Sequence, residues 1–519
     1  MNNADNQNGN NSLLLISINN LWRYSNIGID QIAGYLRKKN FCTVDVFYHH
    51  KRISEDEIIN NLVLNYDFFG FSVNSSNVDC CISVANFIKL KRPKAITVFG
   101  GGYPTRYYRE LIKANACIDY IILGDGEIPL ENLLQQLITE NCVKSSPNVV
   151  SLFDQDKKLP YCNGKVDYHP SFDYFMNDTD YRNRRKEYCL QTKNNICTGK
   201  CAFCTERKGP IIYKEISHIV EEIAIVANQF GVKKFFFTDD NLLDPNNLAA
   251  KKRIYELCTA INEMNLNLVF KCYVKATSLS DTEDDHNLLQ LMSDTGFKTI
   301  FVGLESGNQN DLKLYNKLTT VDDNYNLVKM IRKYEIALQV GFINFNPYST
   351  LETIKENYYF LTNIEMDNLF MYICSYLRVY KYTDIYEQMK IDNLLLPEYD
   401  YLDDKSLYKF MSKEVEGIFK FIQVNMISRV RNLDFEFDWL YSFFLECKKI
   451  NPKAKVYENL FTELKFDQLE KIKNFFYILF VENDLVKAKI FVNDFLSFFE
   501  NLQPRLLDLH SDLVSLYIE

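Results

Sequence analysis

At 519 residues the chain exceeds one ordinary core, and with 47% hydrophobic and 14% aromatic residues it reads as a globular protein of two or three domains. A net charge of -9 and a pI near 5.5 leave no basic footprint for a phosphate backbone, which argues against nucleic acid as a partner. Fourteen cysteines without a secretory signal read as reduced thiols and metal ligands, not as a disulfide framework.

Residues 1–11 are polar and Asn-rich and read as a disordered tail without the apolar core of a signal peptide. No later run approaches the roughly 20 apolar residues of a membrane span, so a cytoplasmic protein with no membrane partner is expected. From 12 to 140 short apolar runs alternate with amphipathic stretches: LLLISI, NIGIDQIAGYLRKKN, TVDVFY, DEIINNLVL, DFFGFSV, CISVANFIKLKR, AITVFGGG, YYRELIKANA, DYIIL and GEIPLENLLQQL. Strands alternating with helices predict a doubly wound, Rossmann-like α/β domain of five βα units.

Gly100, Gly101 and Gly102 follow the strand AITVF, and Gly124, Gly126 and Glu127 follow DYIIL. Glycines at the carboxyl ends of parallel strands let backbone approach a ligand across the sheet edge, although each turn alone reads equally as a tight βα connection. Neither is a GxGxxG fingerprint, so a nicotinamide cofactor is not indicated. Residues 141–186, with Pro147, Pro160 and Pro170, read as a linker.

From 187 to 393 a second α/β unit follows, with strand candidates YCLQT, KKFFFTD, NLVFKCYV, KTIFVGLE, ALQVGFINF and LFMYICSYLRVY. Six βα repeats are too few for a closed eight-fold barrel, and an open, partial (βα)6 barrel is expected. From 394 to 519 apolar positions fall at helical spacing, as in LYKFMSKEVEGIFKFIQ and AKIFVNDFLSFFENLQ, and a C-terminal α-helical domain is expected.

The segment Cys197-Thr-Gly-Lys-Cys201-Ala-Phe-Cys204 follows the strand YCLQT, in a short loop where three thiolates can converge. This spacing suits an iron-sulfur cluster. Zinc is the rival, but a structural zinc site wants four protein ligands. Cys189 and His218, the available fourth ligands, fall in a predicted strand and a predicted helix. Three ligands on a 4Fe-4S cluster leave one iron open to an amino acid's amine and carboxylate. If that amino acid is the methionine part of S-adenosylmethionine (SAM), an electron from the cluster breaks the sulfonium bond and yields a 5'-deoxyadenosyl radical.

The triad, with Phe203 before its last cysteine, resembles the C-x3-C-x-aromatic-C motif of the radical SAM superfamily. The resemblance implies a 4Fe-4S cluster on Cys197, Cys201 and Cys204 and places Phe203 at the SAM adenine. Asp239 and Asp240, ending FFFTDD, resemble the second-strand edge that meets the methionyl amine or substrate; two Asp at a strand end read equally as turn formers. Gly303-Leu-Glu305-Ser306-Gly307 resembles the fourth-strand motif near the SAM ribose and carboxylate, and Asn344-Phe-Asn346-Pro347 the fifth-strand edge at the adenine. Ser349 or Thr350 reads equally as a helix N-cap. Lys275 could face the SAM carboxylate, and Lys317 resembles a basic residue after the fourth strand; base rates favour a solvated lysine for both. The stretch Leu377-Arg-Val-Tyr380 resembles the sixth-strand end but lacks the Pro-Gly of many relatives.

A doubly wound domain ahead of such a barrel resembles the cobalamin-binding subgroup, with Phe99-Gly-Gly-Gly-Tyr-Pro104 and Gly124-Asp-Gly126-Glu127 as the matching turns. This implies cobalamin at Gly100, Gly101, Gly102, Gly124, Gly126 and Glu127. The cobalt-ligating pattern Asp-x-His-x-x-Gly is absent, and the domain's histidines are His49 and His50. The expected function is cobalamin-dependent methylation of an unactivated carbon in a peptide or natural product, with an external electron donor such as flavodoxin or ferredoxin. A cobalamin-independent radical epimerase, cyclase or rearrangement enzyme is the alternative, and a zinc-stapled binding protein a remote one. No catalytic residue beyond the cluster ligands is assigned.

Overall fold

The structure is a computed structural model describing residues 11–18, 25–49, 65–140, 143, 146–154, 169–176, 186–194, 196–205, 211–244, 247–366, 369–396 and 408–518. The expected helix at 56–64 and His50 lie outside the described residues. The chain divides into two compact units. One takes in the described residues up to Cys189 with Ile225–Val232; the other takes in Leu190–Ala224, Lys233–Asp400 and the described residues of Asp404–Glu519.

The first unit is built on six strands: β1 (Ser12–Ile18), β2 (Thr43–His49), β3 (Phe68–Ser72), β4 (Ile96–Gly100), β5 (Tyr120–Ile122) and β6 (Val149–Val150). Their order is β2-β1-β3-β4-β5-β6, parallel except for β6, which runs antiparallel to β5. The alternation of β1 explains the two layers. Leu14 and Ile16 pack with Phe69, Phe99, Val84 and Leu111 on one face, while Leu13 and Leu15 pack with Phe68, Ala33, Leu36 and Leu133 on the other. Both faces are apolar because helices cover both. The strand order reverses between β1 and β3, and the carboxyl edge there is the ligand crevice of a doubly wound sheet.

The second sheet has the order β11-β10-β9-β8-β7, from β7 (Glu187–Leu190), β8 (Lys234–Phe237), β9 (Val269–Lys275), β10 (Phe297–Glu305) and β11 (Ala337–Phe342). β8 pairs with β9, β9 with β10 and β10 with β11, each in parallel. The expected sixth strand is different. Leu369–Ile373 is a helix, and the sheet position is marked by a single parallel bridge between Phe345 and Tyr376. A short apolar run does not distinguish strand from helix by pattern alone. Here Phe370 is drawn onto Phe476, Phe495 and Phe499 of the C-terminal helices, which decides for the helix.

Of those helices, Lys413–Ile422, Ser428–Ile450, Glu458–Phe476 and Leu485–Ile518, the second runs along the amino ends of the strands, where Ser442 bonds Thr299 at 2.5 Å and Lys449 donates to the Asp294 carbonyl at 2.7 Å. Phe345, just past β11, contacts Phe419 and Phe480, and Met411 N–H donates to the Pro347 carbonyl at 2.9 Å.

Candidate radical SAM and cobalamin sites

The cysteine loop leaves β7 through a clamped neck. Lys214 N–H donates to the Thr192 carbonyl and Asn194 N–H to the Ile212 carbonyl, each at 2.9 Å, so the two ends of the loop form a short antiparallel ladder. Lys193, 1% exposed, bonds both carboxylate oxygens of Asp244 at 2.8 and 2.9 Å, and the Tyr213 hydroxyl donates to the same carboxylate at 2.5 Å. Asp239 accepts the N–H groups of Thr192 at 3.0 Å and Lys193 at 3.1 Å, so this carboxylate fastens the neck. Burial, only partly offset by those donors, pushes its pKa up to about 6. Asp240 follows it at the end of β8, half-buried.

Within the loop, Gly199 N–H donates to Cys197 Sγ at 3.3 Å, and Cys204 N–H to the Cys201 carbonyl at 3.2 Å. Ala202 is tied on both sides: its N–H donates to the Tyr315 carbonyl at 2.8 Å, and its carbonyl accepts Ile385 N–H at 3.0 Å. Phe203 stands edge-on to Tyr315, centroids 5.6 Å apart. Burial pushes the Cys201 thiol up; the ammoniums of Lys317 and Lys275 draw it down, and Glu305 pushes it up.

The three sulfurs do not gather within 4.8 Å of one another. A single tetrahedral zinc, with Zn–S of about 2.3 Å, would hold them roughly 3.8 Å apart. A cluster offers each thiolate its own iron, and three cysteine thiolates in one short loop are the donor set that a 4Fe-4S group takes.

Behind the loop lies Glu305, last residue of β10. It adopts φ +64°, where the pairing of β10 with β11 shifts register. Its Oε1 accepts from Lys317 Nζ at 2.8 Å, with both side chains largely buried. Burial draws the Lys317 ammonium down, but Glu305 and the Cys201 thiol outweigh it and leave it raised. Lys317 is thus part of the site, not the solvated lysine that base rates favour. A β-carbon at Gly303 would lie 2.5 Å from Glu305 Oε1, and one at Gly341 3.3 Å from Oε2; the two glycines make the space for the pair.

Ser306 and Asn346 sit one layer deeper. The Ser306 hydroxyl donates to Asn357 Oδ1 at 2.8 Å and Asp311 Oδ2 at 3.1 Å; the Asn346 amide donates to Tyr315 Oη at 2.9 Å and Asp311 Oδ1 at 3.0 Å. This network, which the sequence reading missed apart from those two residues, joins the ends of β10 and β11 and positions Tyr315 under Phe203.

In the first unit the two glycine turns meet: Gly124 N–H donates to Thr105 Oγ1 at 3.0 Å, on the helix that begins at Gly102. Their glycines differ in kind. Gly101, at φ +114°, leaves only 2.6 Å between a β-carbon and the Val73 carbonyl oxygen, and Gly126 packs against Ile32. Gly100 has its nearest neighbour 4.0 Å from a β-carbon and Gly102 has none within 4 Å. These two leave an open cradle in which a ligand could approach the bare backbone. Glu127 opens the next helix, where a carboxylate suits the N-terminal dipole. At the switch point, missed in the sequence, the Asn26 amide bridges Ser17 and Ser72 at 2.8 and 3.0 Å, and the Asn77 amide reaches the carbonyls of Ile18 and Ser72, both at 3.0 Å. His49 ends β2, two strands away from β3 and three from β4.

The B12 binding domain family matches residues 16–134, and the Radical SAM superfamily matches residues 193–361. The chain is a radical SAM enzyme with a B12 binding domain. Its cofactors are those that the two domains imply: a 4Fe-4S cluster with SAM, and cobalamin.

Among curated relatives, this radical SAM enzyme is 26% identical over 279 residues to the anaerobic magnesium-protoporphyrin IX monomethyl ester cyclase of Cereibacter sphaeroides, covering 51% of this chain and 44% of that one. It is 23% identical over 363 residues to the 4'-phospho-dehydrooxetanocin synthase of Priestia megaterium, covering 65% and 48%. The chain thus spans about half the length of these relatives. In fold it is similar to the cobalamin-dependent radical SAM enzyme OxsB with aqua-cobalamin and SAM bound, at TM-score 0.69 and 16% identity over 97% of this chain and 79% of that one. It also resembles the radical SAM methyltransferase TsrM of Kitasatospora setae, at TM-score 0.59 and 17% identity over 77% and 79%. Among the described residues no helix is long and apolar enough to cross a membrane.

Proposed function

We propose that the chain methylates an unactivated carbon of a peptide or natural-product substrate. When bound, the cluster and SAM supply a 5'-deoxyadenosyl radical that removes hydrogen from the substrate carbon, and cobalamin supplies the methyl group. The observation that carries this reading is the presence, in one chain, of a clamped three-cysteine loop and an open glycine cradle on a second, doubly wound sheet. Cys197, Cys201 and Cys204 would hold the iron, Phe203, edge-on to Tyr315, would offer a ring to the adenine, and Glu305, paired with Lys317, would serve the ribose. Gly100 and Gly102 give backbone to the corrin. Electrons come from an external donor, a flavodoxin or ferredoxin.

A second reading, radical cyclisation or rearrangement without methyl transfer, is favoured by the relatives named as a cyclase and a synthase. Anaerobic incubation of the reconstituted protein with cobalamin, SAM and a reductant separates the two. Methylation predicts S-adenosylhomocysteine alongside 5'-deoxyadenosine, because one SAM gives its methyl and another its adenosyl group. Formation of 5'-deoxyadenosine alone favours the second reading.

A further inference from the structure

Two lysines approach the cysteine loop, and one of them is neutralised. Lys317 is paired with Glu305. Lys275, the last residue of β9, makes no ion pair among the described residues; its ammonium donates to Thr198 Oγ1 at 2.9 Å, between Cys197 and Cys201. The next residue is Gly199, where a β-carbon would lie 3.1 Å from Lys275 Nζ and 3.4 Å from Cys197 Sγ. Ammonium and sulfur therefore approach one bare α-carbon from two sides.

The lysine is aimed from below. Its backbone N–H donates to Asn241 Oδ1 and to Ser278 Oγ, each at 3.1 Å, and the Asn241 amide and Ser278 hydroxyl both bond the Leu243 carbonyl. Asn241 is 1% exposed and Ser278 fully buried, so this bracket is rigid.

We infer that Lys275 is a positioning residue that raises the reduction potential of the cluster by holding a fixed positive charge beside the Cys197–Cys201 loop. The inference rests on the reading of the triad as cluster ligands. Reduction adds negative charge to an anionic cluster, and cluster potentials follow local charge and hydrogen bonding. A cation paired with a carboxylate contributes little net field, which leaves Lys275 as the stronger of the two lysines.

The test is a dithionite titration of the full chain, anaerobically reconstituted and free of SAM, followed by electron paramagnetic resonance with iron measured in parallel. Lys275→Gln at full iron content is expected to cut the ratio of reduced to oxidised cluster at fixed potential about tenfold, a shift of about 59 mV for one electron. Lys275→Arg is expected to restore most of it. Gly199→Ala, which crowds the ammonium, is expected to shift it in the same direction as Lys275→Gln. If Lys275→Gln fails to hold iron while Lys275→Arg holds it near the wild-type potential, the need for the cation is also supported. An unchanged potential in an iron-replete Lys275→Gln overturns the inference, including when SAM affinity falls, since the lysine then serves SAM alone. Absence of iron from the wild type defeats the cluster reading itself.

Discussion

Glu305 and Lys317 form a buried ion pair 2.8 Å long at a point where β10 turns into a left-handed backbone conformation, with Gly303 and Gly341 clearing room for the two side chains. A pair of this kind is costly to break from one side, because the remaining charge stays buried without compensation. Lys317→Met is expected to destabilise the second unit by about 3–5 kcal/mol, with part of the loss recovered in the double variant Glu305→Gln/Lys317→Met. Thermal unfolding of the three proteins checks this; equal melting temperatures for wild type and Lys317→Met would show the pair to be idle.

Asp30 governs a pH effect in the first unit. It is buried, accepts from the Tyr48 hydroxyl and from Ser171 Oγ at 3.3 Å, and burial pushes its pKa up to about 8. The folded state therefore holds a proton that the unfolded chain gives up near the ordinary carboxylate pKa of about 3.9. Between those values unfolding releases protons, so this group makes stability fall as pH rises and its effect levels off above about 8. Asp30→Asn, which cannot ionise, is expected to flatten that slope; melting curves from pH 5 to 9 with an unchanged slope would refute the assignment.

The glycine turns separate fold from ligand. Gly101→Val meets the Val73 carbonyl in a conformation that side chains avoid, at a cost of about 1–3 kcal/mol, and is expected to lower the melting temperature with or without cobalamin. Gly102→Val has open space and is expected to melt like wild type while retaining less corrin after desalting. Corrin absorbance and melting temperature, measured on both variants, test the placement. Full retention by Gly102→Val would move the cradle elsewhere.

The clamp at the neck of the cysteine loop predicts a kinetic effect on the metal. Lys193→Met strands the buried Asp244 carboxylate and loosens the ladder, so iron is expected to leave to a chelator several-fold faster than from wild type. Equal rates of iron loss would mean that the loop is held without the Lys193–Asp244 pair, by contacts such as those of Asp239 with the neck and of Ala202 with Tyr315.

Much of this was legible in the sequence because the signals are local. Runs such as LLLISI carry both faces of a buried parallel strand, and three cysteines within eight residues need no tertiary context to suggest a cluster. The parts that were not legible depend on contacts across the chain. Leu369–Ile373 becomes a helix because distant phenylalanines receive Phe370. Lys317 is buried because β10 bulges at Glu305, and glycines at 303 and 341 are the faint sequence trace of that pair. Asp239 looks like a ligand by its place at a strand end, yet its carboxylate is taken by two backbone N–H groups.

The most direct test of the cluster assignment is reductive SAM cleavage by anaerobically reconstituted Cys201→Ala, with Cys447→Ala as the control. Cys447 is fully buried in the C-terminal helices and burial pushes its thiol far up, so it is no candidate ligand. The account predicts that Cys201→Ala loses the brown chromophore and all 5'-deoxyadenosine formation, whereas Cys447→Ala keeps both. Wild-type 5'-deoxyadenosine formation by Cys201→Ala would contradict it.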